Sequence, residues 1–134
     1  MYLTVLKAKL HQARVTLTEL EYEGSCAIDG HLLNEAGIHE YEQIQIYNLS
    51  NGNRFTTYAI QGESGSGMIS VNGAAAHQCN PGDRIIICSY LQIQQDQINH
   101  FKPKLVYLNE ENRVTHVGER IPVQLASCKK ADLI

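Results

Sequence analysis

The stretch QIQIYNLSNGNRFTTYAI, residues Gln43–Ile60, predicts two antiparallel β-strands joined by a tight turn. Polar and apolar residues alternate over Gln43–Leu49, which is the pattern of a strand with one buried face. The dipeptide Asn51-Gly52 follows and is the strongest short-range signal for a hairpin turn. The partner strand is expected over Arg54–Ile60, so this part of the chain is predicted to be a β-hairpin.

Short strands and turns continue on both sides of the hairpin. A continuous apolar run, Arg84–Cys88, follows the predicted turn Pro81–Asp83 and suits a central strand. Asp29 is placed to cap a short helix that Gly37 ends. Further strands are expected at Tyr2–Leu10, Arg14–Thr18, Met68–Val71, Leu105–Leu108 and Arg113–Val117. Many short strands with Gly- and Asn-rich turns predict a mainly β fold in the form of a small closed barrel.

Length and charge restrict the classes of function. A chain of 134 residues fits a single domain, 1–134, with a core of its own. The net charge is −3 and no basic stripe is visible, which argues against nucleic acid as a partner. No apolar run approaches the roughly 20 residues that span a bilayer, and no signal-peptide pattern opens the sequence. We therefore expect no membrane partner and a cytoplasmic location.

The cysteines show neither metal-site nor redox-motif spacing. Because Cys26, Cys79, Cys88 and Cys128 form no CxxC pair, free thiols in a reducing compartment are the simplest interpretation. His77 lies close to Cys79, but no second pair of ligands completes a zinc site. No metal is expected.

The stretch EYEGSCAID, residues Glu21–Asp29, contains a bond that the protein could cut by itself. The Ser25 hydroxyl can attack the carbonyl carbon of Gly24, which converts the amide into an ester. Elimination across the serine Cα–Cβ bond then leaves a dehydroalanine, which hydrolyses to a pyruvoyl group and ammonia. Glycine presents no side chain to this attack and tolerates strained conformations. On the dipeptide alone, a flexible turn between strands is the simpler interpretation.

Four blocks of sequence, in register, resemble the pyruvoyl-dependent aspartate 1-decarboxylases. They are Lys7–His11, Tyr22–Asp29, Asn51–Ile60 and Ile69–His77, and their order and separations are similar to those of the family. The resemblance runs from about Leu3 to Gln124. It implies a lyase that converts L-aspartate to β-alanine and carbon dioxide, and so supplies pantothenate and coenzyme A synthesis.

The resemblance also implies how the chain folds and matures. The fold would be a small closed six-stranded double-psi β-barrel with short helices, assembled as a homotetramer with sites between neighbouring subunits. Autocatalytic cleavage of the zymogen between Gly24 and Ser25 would give a β chain, 1–24, and an α chain, 25–134, that begins with the covalent pyruvoyl group. The tail, 127–134, is expected to fray. Whether maturation needs a separate protein factor stays open.

Catalytic and processing roles follow from the same resemblance. Ser25 is the nucleophile of self-cleavage and the source of the pyruvoyl group, which takes up the substrate amine as a Schiff base and acts as the electron sink. Tyr58 matches the proton donor to the substrate carbanion, and a phenol is protonated at neutral pH. Thr57, His11 and Tyr22 match processing positions, and Thr57 also contacts substrate. Neighbouring strand residues point to opposite faces, so Thr57 and Tyr58 share a site only if the strand bulges or if the site lies across an interface.

Substrate binding is assigned to two cations, one aromatic ring and a loop of small residues. Lys9 and Arg54 are available for the two carboxylates of aspartate, and arginine can hold a carboxylate through two parallel hydrogen bonds. Tyr47 stands where the family often has tryptophan, and either ring can form the wall of a pocket. Small side chains let backbone N–H groups approach an anion. The loop residues are Asn72, Gly73, Ala74 and Ala75.

Two other classes of protein remain open. The first is a non-catalytic small β-barrel interaction module that is never processed. The second is an N-terminal-nucleophile hydrolase, in which cleavage exposes a free amine at Ser25 and forms no ketone. The number of chains and the chemistry of residue 25 distinguish these classes, whereas a barrel fold does not, because such folds carry many functions.

Overall fold

The computed structural model describes residues 1–127, and most of its regular structure is β-strand. Residues 128–134, on which nearly all of the predicted frayed tail falls, lie outside the described part of the chain. One α-helix, Gly30–Ala36 (α1), and two 3₁₀ helices, Gly73–Gln78 and Gln95–His100, lie between strands of the described part. The strands are Tyr2–Arg14 (β1), Leu17–Glu19 (β2), Ser25–Asp29 (β3), Gln43–Asn48 (β4), Arg54–Gly62 (β5), Ile69–Asn72 (β6), Arg84–Gln94 (β7), Lys104–Leu108 (β8) and Val114–Gly118 (β9).

Nine strands form one mixed sheet in the order β2-β6-β3-β5-β4-β7-β1-β8-β9. The pairs β1–β8, β2–β6 and β3–β5 are parallel, and the other neighbours are antiparallel. Within residues 1–127 hydrogen bonding does not close the sheet, because β2 and β9 are its edges. The mainly β fold is thus confirmed. The sheet has nine strands where the resemblance implies six, and the double-psi barrel stays a prediction.

The hairpin predicted from the central stretch is present. β4 and β5 pair without a register shift, from Gln43 opposite Tyr58 to Tyr47 opposite Arg54. Alternate residues of β4 are buried, as the sequence pattern predicts. Tyr47, Arg54 and Tyr58 occupy positions on the same side of this pair, and we call that side the open face of the sheet.

The connection of the hairpin covers residues 49–53 and is tied to the first 3₁₀ helix. The Nδ2 atoms of Asn48, Asn51 and Asn53 all donate to the carbonyl oxygen of Gln78, at 3.1, 3.1 and 3.5 Å. Gly52 has a φ of +80°, the left-handed conformation that an Asn-Gly turn requires. Side chains also hold the loop internally, because those of Asn48 and Asn51 accept backbone N–H groups within it, each at 2.8 Å.

The N-terminal strand differs from the prediction. The sequence predicts strands at Tyr2–Leu10 and Arg14–Thr18, but β1 continues to Arg14 and the short strand β2 follows. Register shifts follow Leu6 and Leu10, and Gln12 has a φ of +60°. These β-bulges interrupt the alternation of side chains, so the sequence pattern ends before the strand does.

The short helix α1 begins and ends as predicted. The Asp29 carboxylate accepts the N–H of His31 at 2.8 Å, and Gly37 ends the helix with a φ of +71°. The same carboxylate accepts the N–H groups of Gly65 at 2.8 Å and Gly67 at 2.7 Å. Burial raises the pKa of Asp29, but the hydrogen bonds outweigh it and hold the pKa below its ordinary value. One buried carboxylate therefore joins β3, α1 and the loop before β6.

The core consists mainly of branched aliphatic side chains from the inner faces of the strands. β7 contains the predicted apolar run, extends beyond it to Gln94, and lies between β4 and β1 in the sheet. Each fully buried side chain of this size contributes about 1.5–3 kcal/mol to stability. The largest are Leu10, Ile28, Leu32, Ile44, Ile46, Ile69, Ile85, Ile87 and Leu105.

The cysteines of the described residues, Cys26, Cys79 and Cys88, are buried free thiols, as the sequence predicts. Burial raises the pKa of Cys79 to about 11, and the nearby Asp83 acts in the same direction. Such a thiol is protonated at neutral pH and reacts slowly. Among residues 1–127, no helix is both long and apolar enough to cross a lipid bilayer.

Candidate active site

Ser25 is the first residue of β3, and its side chain is fully buried. The hydroxyl donates a hydrogen bond to the carbonyl oxygen of Glu23 at 2.9 Å. It accepts a second hydrogen bond from Nδ2 of Asn72 at 3.1 Å. Because its proton and one lone pair are both engaged, Oγ is held in one orientation. The predicted nucleophile therefore begins a paired strand and is a fixed group.

Asn72 is oriented by a second buried serine. The Ser70 hydroxyl donates to Oδ1 of Asn72 at 2.7 Å, which leaves Nδ2 directed at Ser25. Asn72 is also the partner of Ser25 in the β3–β6 ladder. The amide N–H of Asn72 and the carbonyl oxygen of Glu23 together fix the direction of the Oγ lone pair that remains free for attack. Sequence reasoning missed Ser70, although its position two residues before Asn72 puts both on the same face of β6.

Gly73 packs directly against the backbone of Gly24. A Cβ atom at Gly73 would lie 2.7 Å from Cα of Gly24 and 3.4 Å from the carbonyl oxygen of Tyr22, and Gly73 has a φ of +67°. Only glycine allows this approach. A Cβ atom at Gly24 would meet nothing within 4 Å, so the cleavage position itself has open space. The structure thus brings together four predicted site residues, and we call Gly24, Ser25, Asn72 and Gly73 the Ser25 cluster.

Three further predicted residues, Ala74, Ala75 and Tyr22, adjoin this cluster in the sequence. Ala74 and Ala75 belong to the 3₁₀ helix that begins at Gly73. Ala74 is exposed, whereas Ala75 packs against the core. Tyr22 lies in the turn before Gly24 and its side chain is exposed.

Tyr58 lies beside the end of β3 at which Ser25 stands. β3 and β5 run parallel with Cys26 opposite Ala59, so the residues before them, Ser25 and Tyr58, lie at the same end of the two strands. The Tyr58 side chain is 36% exposed. Thr57 occupies the opposite face, because β5 pairs with β4 over this stretch without a bulge. A bulge therefore does not bring Thr57 and Tyr58 to one face.

Lys9 and Arg54 lie on the open face and approach the same place. Cζ of Arg54 lies 4.3 Å from the centroid of the Tyr47 ring. Lys9 is the ladder partner of Cys88 in β7. Burial raises the pKa of the Cys88 thiol, while a hydrogen bond with Tyr90 and the charges of Lys9 and Arg54 act to lower it. Both cations are thus close enough to Cys88 to influence it, and we call Lys9, Tyr47, Arg54 and Cys88 the cation cluster.

The two cations carry uncompensated charge. Among residues 1–127, neither Lys9 nor Arg54 forms a salt bridge with a carboxylate. Nζ of Lys9 lies 5.7 Å from the centroid of the Tyr107 ring, and burial lowers the pKa of Lys9. A pair of unmatched cations on one accessible face is suited to binding an anion with two carboxylates.

His11 is placed away from the Ser25 cluster in this chain. Its ring meets the Tyr107 ring edge-on at a centroid distance of 5.4 Å, and Tyr107 stacks on His116 at 4.2 Å. Nδ1 of His11 is buried without a hydrogen-bond partner among the described residues. Burial lowers the pKa of His11, and two neighbouring cationic side chains lower it further. The imidazole is therefore neutral at neutral pH, and in this chain it is not bonded to Ser25.

The order of the strands separates the Ser25 cluster from Lys9. Ser25 begins β3 and Lys9 lies on β1, with β5, β4 and β7 between them. Four spacings of about 4.8 Å make roughly 19 Å along the surface of the sheet. Tyr58 lies between the two regions, since it adjoins Ser25 and shares the open face with Arg54. A single chain therefore holds the two halves of the predicted site as separate groups.

Comparisons with known proteins agree on one family. The model of the family described as aspartate decarboxylase matches residues 1–115. Aspartate 1-decarboxylase of Thioalkalivibrio sulfidiphilus is 64% identical over 126 residues, which is 94% of this chain and 100% of the relative. The enzyme of the same name from Nitrosococcus oceani is 64% identical over the same shares, and that from Halorhodospira halophila is 62% identical.

Proposed function

The chain belongs to the aspartate decarboxylase family, and from this membership we propose that it is a lyase that converts L-aspartate to β-alanine and carbon dioxide after cutting itself between Gly24 and Ser25. The observation that supports this most directly is the buried Ser25 hydroxyl, which is fixed between Glu23 and Asn72. The product would enter pantothenate synthesis. The three buried free thiols fit a reducing cytoplasm.

Self-cleavage is assigned to the Ser25 cluster. Oγ of Ser25 forms a bond to the carbonyl carbon of Gly24, the peptide C–N bond breaks, and the hydroxyl proton goes to the freed nitrogen. Asn72 donates to the reacting oxygen, and Ser70 keeps the amide turned that way. Elimination then removes the proton from Cα of residue 25 and breaks the Cβ–O bond, which releases the Gly24 carboxylate and leaves dehydroalanine. Water adds to the imine tautomer of dehydroalanine, and loss of ammonia leaves the pyruvoyl group at residue 25.

Turnover is assigned to Tyr58 and the cation cluster. The pyruvoyl group supplies an electron sink for the decarboxylation. Lys9 and Arg54 bind the carboxylates of aspartate and orient them, and the stacked Tyr47 ring supports Arg54. Tyr58 donates a proton from its hydroxyl to the substrate Cα after carbon dioxide leaves. Its place beside Ser25 on β5 favours this role.

A complete site is proposed to form between subunits of a homotetramer, each folded as a double-psi β-barrel. The separation of Ser25 from Lys9 supports an arrangement in which one subunit supplies the pyruvoyl group and its neighbour supplies cations. Thr57, His11 and Tyr22 would then act in processing, and Thr57 in substrate binding, across such an interface. Mixing the inactive variant Ser25→Ala with the impaired variant Arg54→Ala tests this, because some interfaces of the mixed assembly would combine both native residues. Recovered activity is expected, and its absence from fully mixed assemblies would argue for a site within one subunit.

Intact-mass measurement of the purified protein tests the proposed function. We expect two chains that separate after Gly24, and a mass shift of the larger chain with a ketone-trapping hydrazine. The same sample should form β-alanine from L-aspartate. Ser25→Ala should stay a single inactive chain close to 15.0 kDa, since alanine removes both the attacking oxygen and the source of the ketone.

The same measurement distinguishes the two other classes. A wild-type protein that stays intact, even when incubated with an extract that supplies a maturation factor, would be a non-catalytic module. A cleaved protein whose residue 25 carries a free amine and resists hydrazine would be an N-terminal-nucleophile hydrolase. If the variant Ser25→Ala still gave fragments that end at Gly24, Ser25 would not be the nucleophile of the cleavage reaction.

A further inference from the structure

Tyr90 lies on β7 at the edge of the cation cluster, and the proposed reaction assigns it no role. Its hydroxyl oxygen lies 2.7 Å from the hydroxyl oxygen of Tyr47. Tyr47 in turn lies under Arg54, whose Cζ is 4.3 Å from the ring centroid. Tyr47 pairs with Ile86 in the β4–β7 ladder, and Cys88 lies between Ile86 and Tyr90 along β7. The two phenol rings therefore reach toward each other across Cys88.

The hydrogen bond between the hydroxyls fixes the outer end of the Tyr47 side chain, whose ring contacts Arg54. Both tyrosines lie on the open face, where a lone aromatic side chain could adopt other rotamers. Burial raises the pKa of Tyr90, and the hydrogen bond with Tyr47 raises it further. The Tyr90 phenol is therefore protonated at neutral pH, so its hydroxyl is available for the bond to Tyr47 there.

We propose that Tyr90 is a positioning residue for substrate recognition, because its hydroxyl holds the Tyr47 ring under the Arg54 guanidinium. Stacking on a ring leaves the in-plane N–H groups of arginine available to a carboxylate. A guanidinium whose ring support moves has to be ordered when substrate binds, which weakens binding. The inference rests on the proposed role of Arg54 in holding aspartate.

The test uses the cleaved wild-type protein and the variants Tyr90→Phe, Tyr47→Phe and the double variant. Each single change removes one hydroxyl and keeps the ring. We expect the KM for L-aspartate to rise about 3- to 10-fold in each single variant, the usual worth of one hydrogen bond, with little change in kcat. The inhibition constant of succinate, a dicarboxylate without an amine, should rise in parallel. The double variant should resemble either single variant, because all three lose the same bond.

Matched controls separate this inference from the proposed function. Tyr41 is 74% exposed and lies outside both clusters, so Tyr41→Phe should leave KM unchanged. If the wild type forms no β-alanine, the proposed function fails and the inference fails with it. If the wild type is active, an unchanged KM in Tyr90→Phe would overturn only the role of Tyr90. The role would also be wrong if the increase in the double variant equals the product of the two single increases.

Discussion

The Ser25 cluster and the cation cluster differ in how they are held. The Ser25 hydroxyl is hydrogen-bonded on both sides by groups of the same chain. Ser70 donates to Asn72, Asn72 donates to Ser25, and Ser25 donates to the carbonyl oxygen of Glu23. On the open face, Lys9 and Arg54 lie on strand positions accessible to solvent and form no salt bridge among the described residues. The hydrogen bonds of the Ser25 cluster are all made within the chain, whereas the cation cluster carries positive charge that a bound anion can neutralise.

This difference fits the two tasks proposed for the clusters, which make opposite demands. A reaction on the protein's own backbone occurs once, and its partners can be fixed in advance by the fold. Binding a free dicarboxylate occurs at every turnover, so the cations must stay unpaired until the substrate arrives. Substitutions near Ser25 should therefore affect maturation, whereas substitutions on the open face should affect turnover by chains that have already matured.

The replacement Tyr58→Phe should give the largest change in turnover, and it tests whether maturation and turnover depend on different residues. The ring and its packing remain, so cleavage after Gly24 should proceed and borohydride should still trap an aspartate-derived adduct. Turnover should fall by roughly 10²–10⁴-fold, the usual worth of a positioned general acid. The measurement is β-alanine formation by fully cleaved protein in deuterated water, beside the wild type. Unchanged turnover would remove Tyr58 from the mechanism, and an uncleaved variant would assign it to processing.

The replacement Arg54→Ala should affect recognition and spare maturation. Loss of a charge-assisted contact should lower kcat/KM by about 2–4 kcal/mol, or roughly 30- to 1,000-fold, while cleavage continues. Lys102→Ala is the matched control, because Lys102 is an exposed cation that pairs with Glu119 at 3.6 Å. Steady-state kinetics of both variants provide the comparison. Near wild-type turnover in Arg54→Ala would show that Arg54 is a solvated surface residue with no part in substrate binding.

The replacement Gly73→Ala tests whether the close packing on Gly24 matters for maturation. A methyl group there would lie 2.7 Å from Cα of Gly24, so the two segments must separate and cleavage should slow at least about 10-fold. Gly52→Ala is the control, because Gly52 also has a positive φ but open space around it. The rate of chain separation after synthesis measures both. If cleavage slows equally in the two variants, the cause would be the strain of a side chain at a positive φ, and the packing of Gly73 on Gly24 would not matter.

Asp29 should have the smallest effect on maturation and turnover, because its role is to stabilise the strand that begins with Ser25. Its folded-state pKa is lowered, so its contribution is present above the unfolded pKa of about 3.9 and is lost as pH falls through the folded value. In the uncut Ser25→Ala background, Asp29→Asn should lower the free energy of unfolding by about 1.5–3 kcal/mol at pH 7. Urea titrations at pH 7 and pH 3 should show this difference shrink at the lower pH. A difference that does not change with pH would contradict the role of the charge, and the exposed residue Asp96 provides a control as Asp96→Asn.

Much of the fold follows from local patterns, and the errors have local causes. The β4–β5 hairpin and the caps of α1 were predictable because a few neighbouring residues determine them. The bulges of β1 concealed its length, because an extra residue shifts the alternation on which strand prediction depends. The sheet order was not predictable, since nothing local specifies that β3 pairs with both β5 and β6.

The candidate site divides in the same way. The motif around Gly24-Ser25 and the loop at Asn72 could be identified from sequence, and the structure brings them together. The orientation of Asn72 depends on Ser70, and the support of Tyr47 depends on Tyr90, which lies on another strand. Contacts between strands of this kind depend on register, which the sequence pattern does not reveal. The distance between Ser25 and Lys9 likewise follows only from the strand order.

The position of β1 in the sheet has a consequence for the molecularity of unfolding. A cut between Gly24 and Ser25 would leave β1 on a separate peptide, yet β1 pairs with β7 on one side and β8 on the other, and β2 pairs with β6. The short fragment would therefore stay as an inner strand of a sheet that no longer has a continuous backbone. Refolding a cleaved subunit would require two peptides to meet, so its apparent stability would depend on concentration, whereas the uncut chain would refold as one molecule.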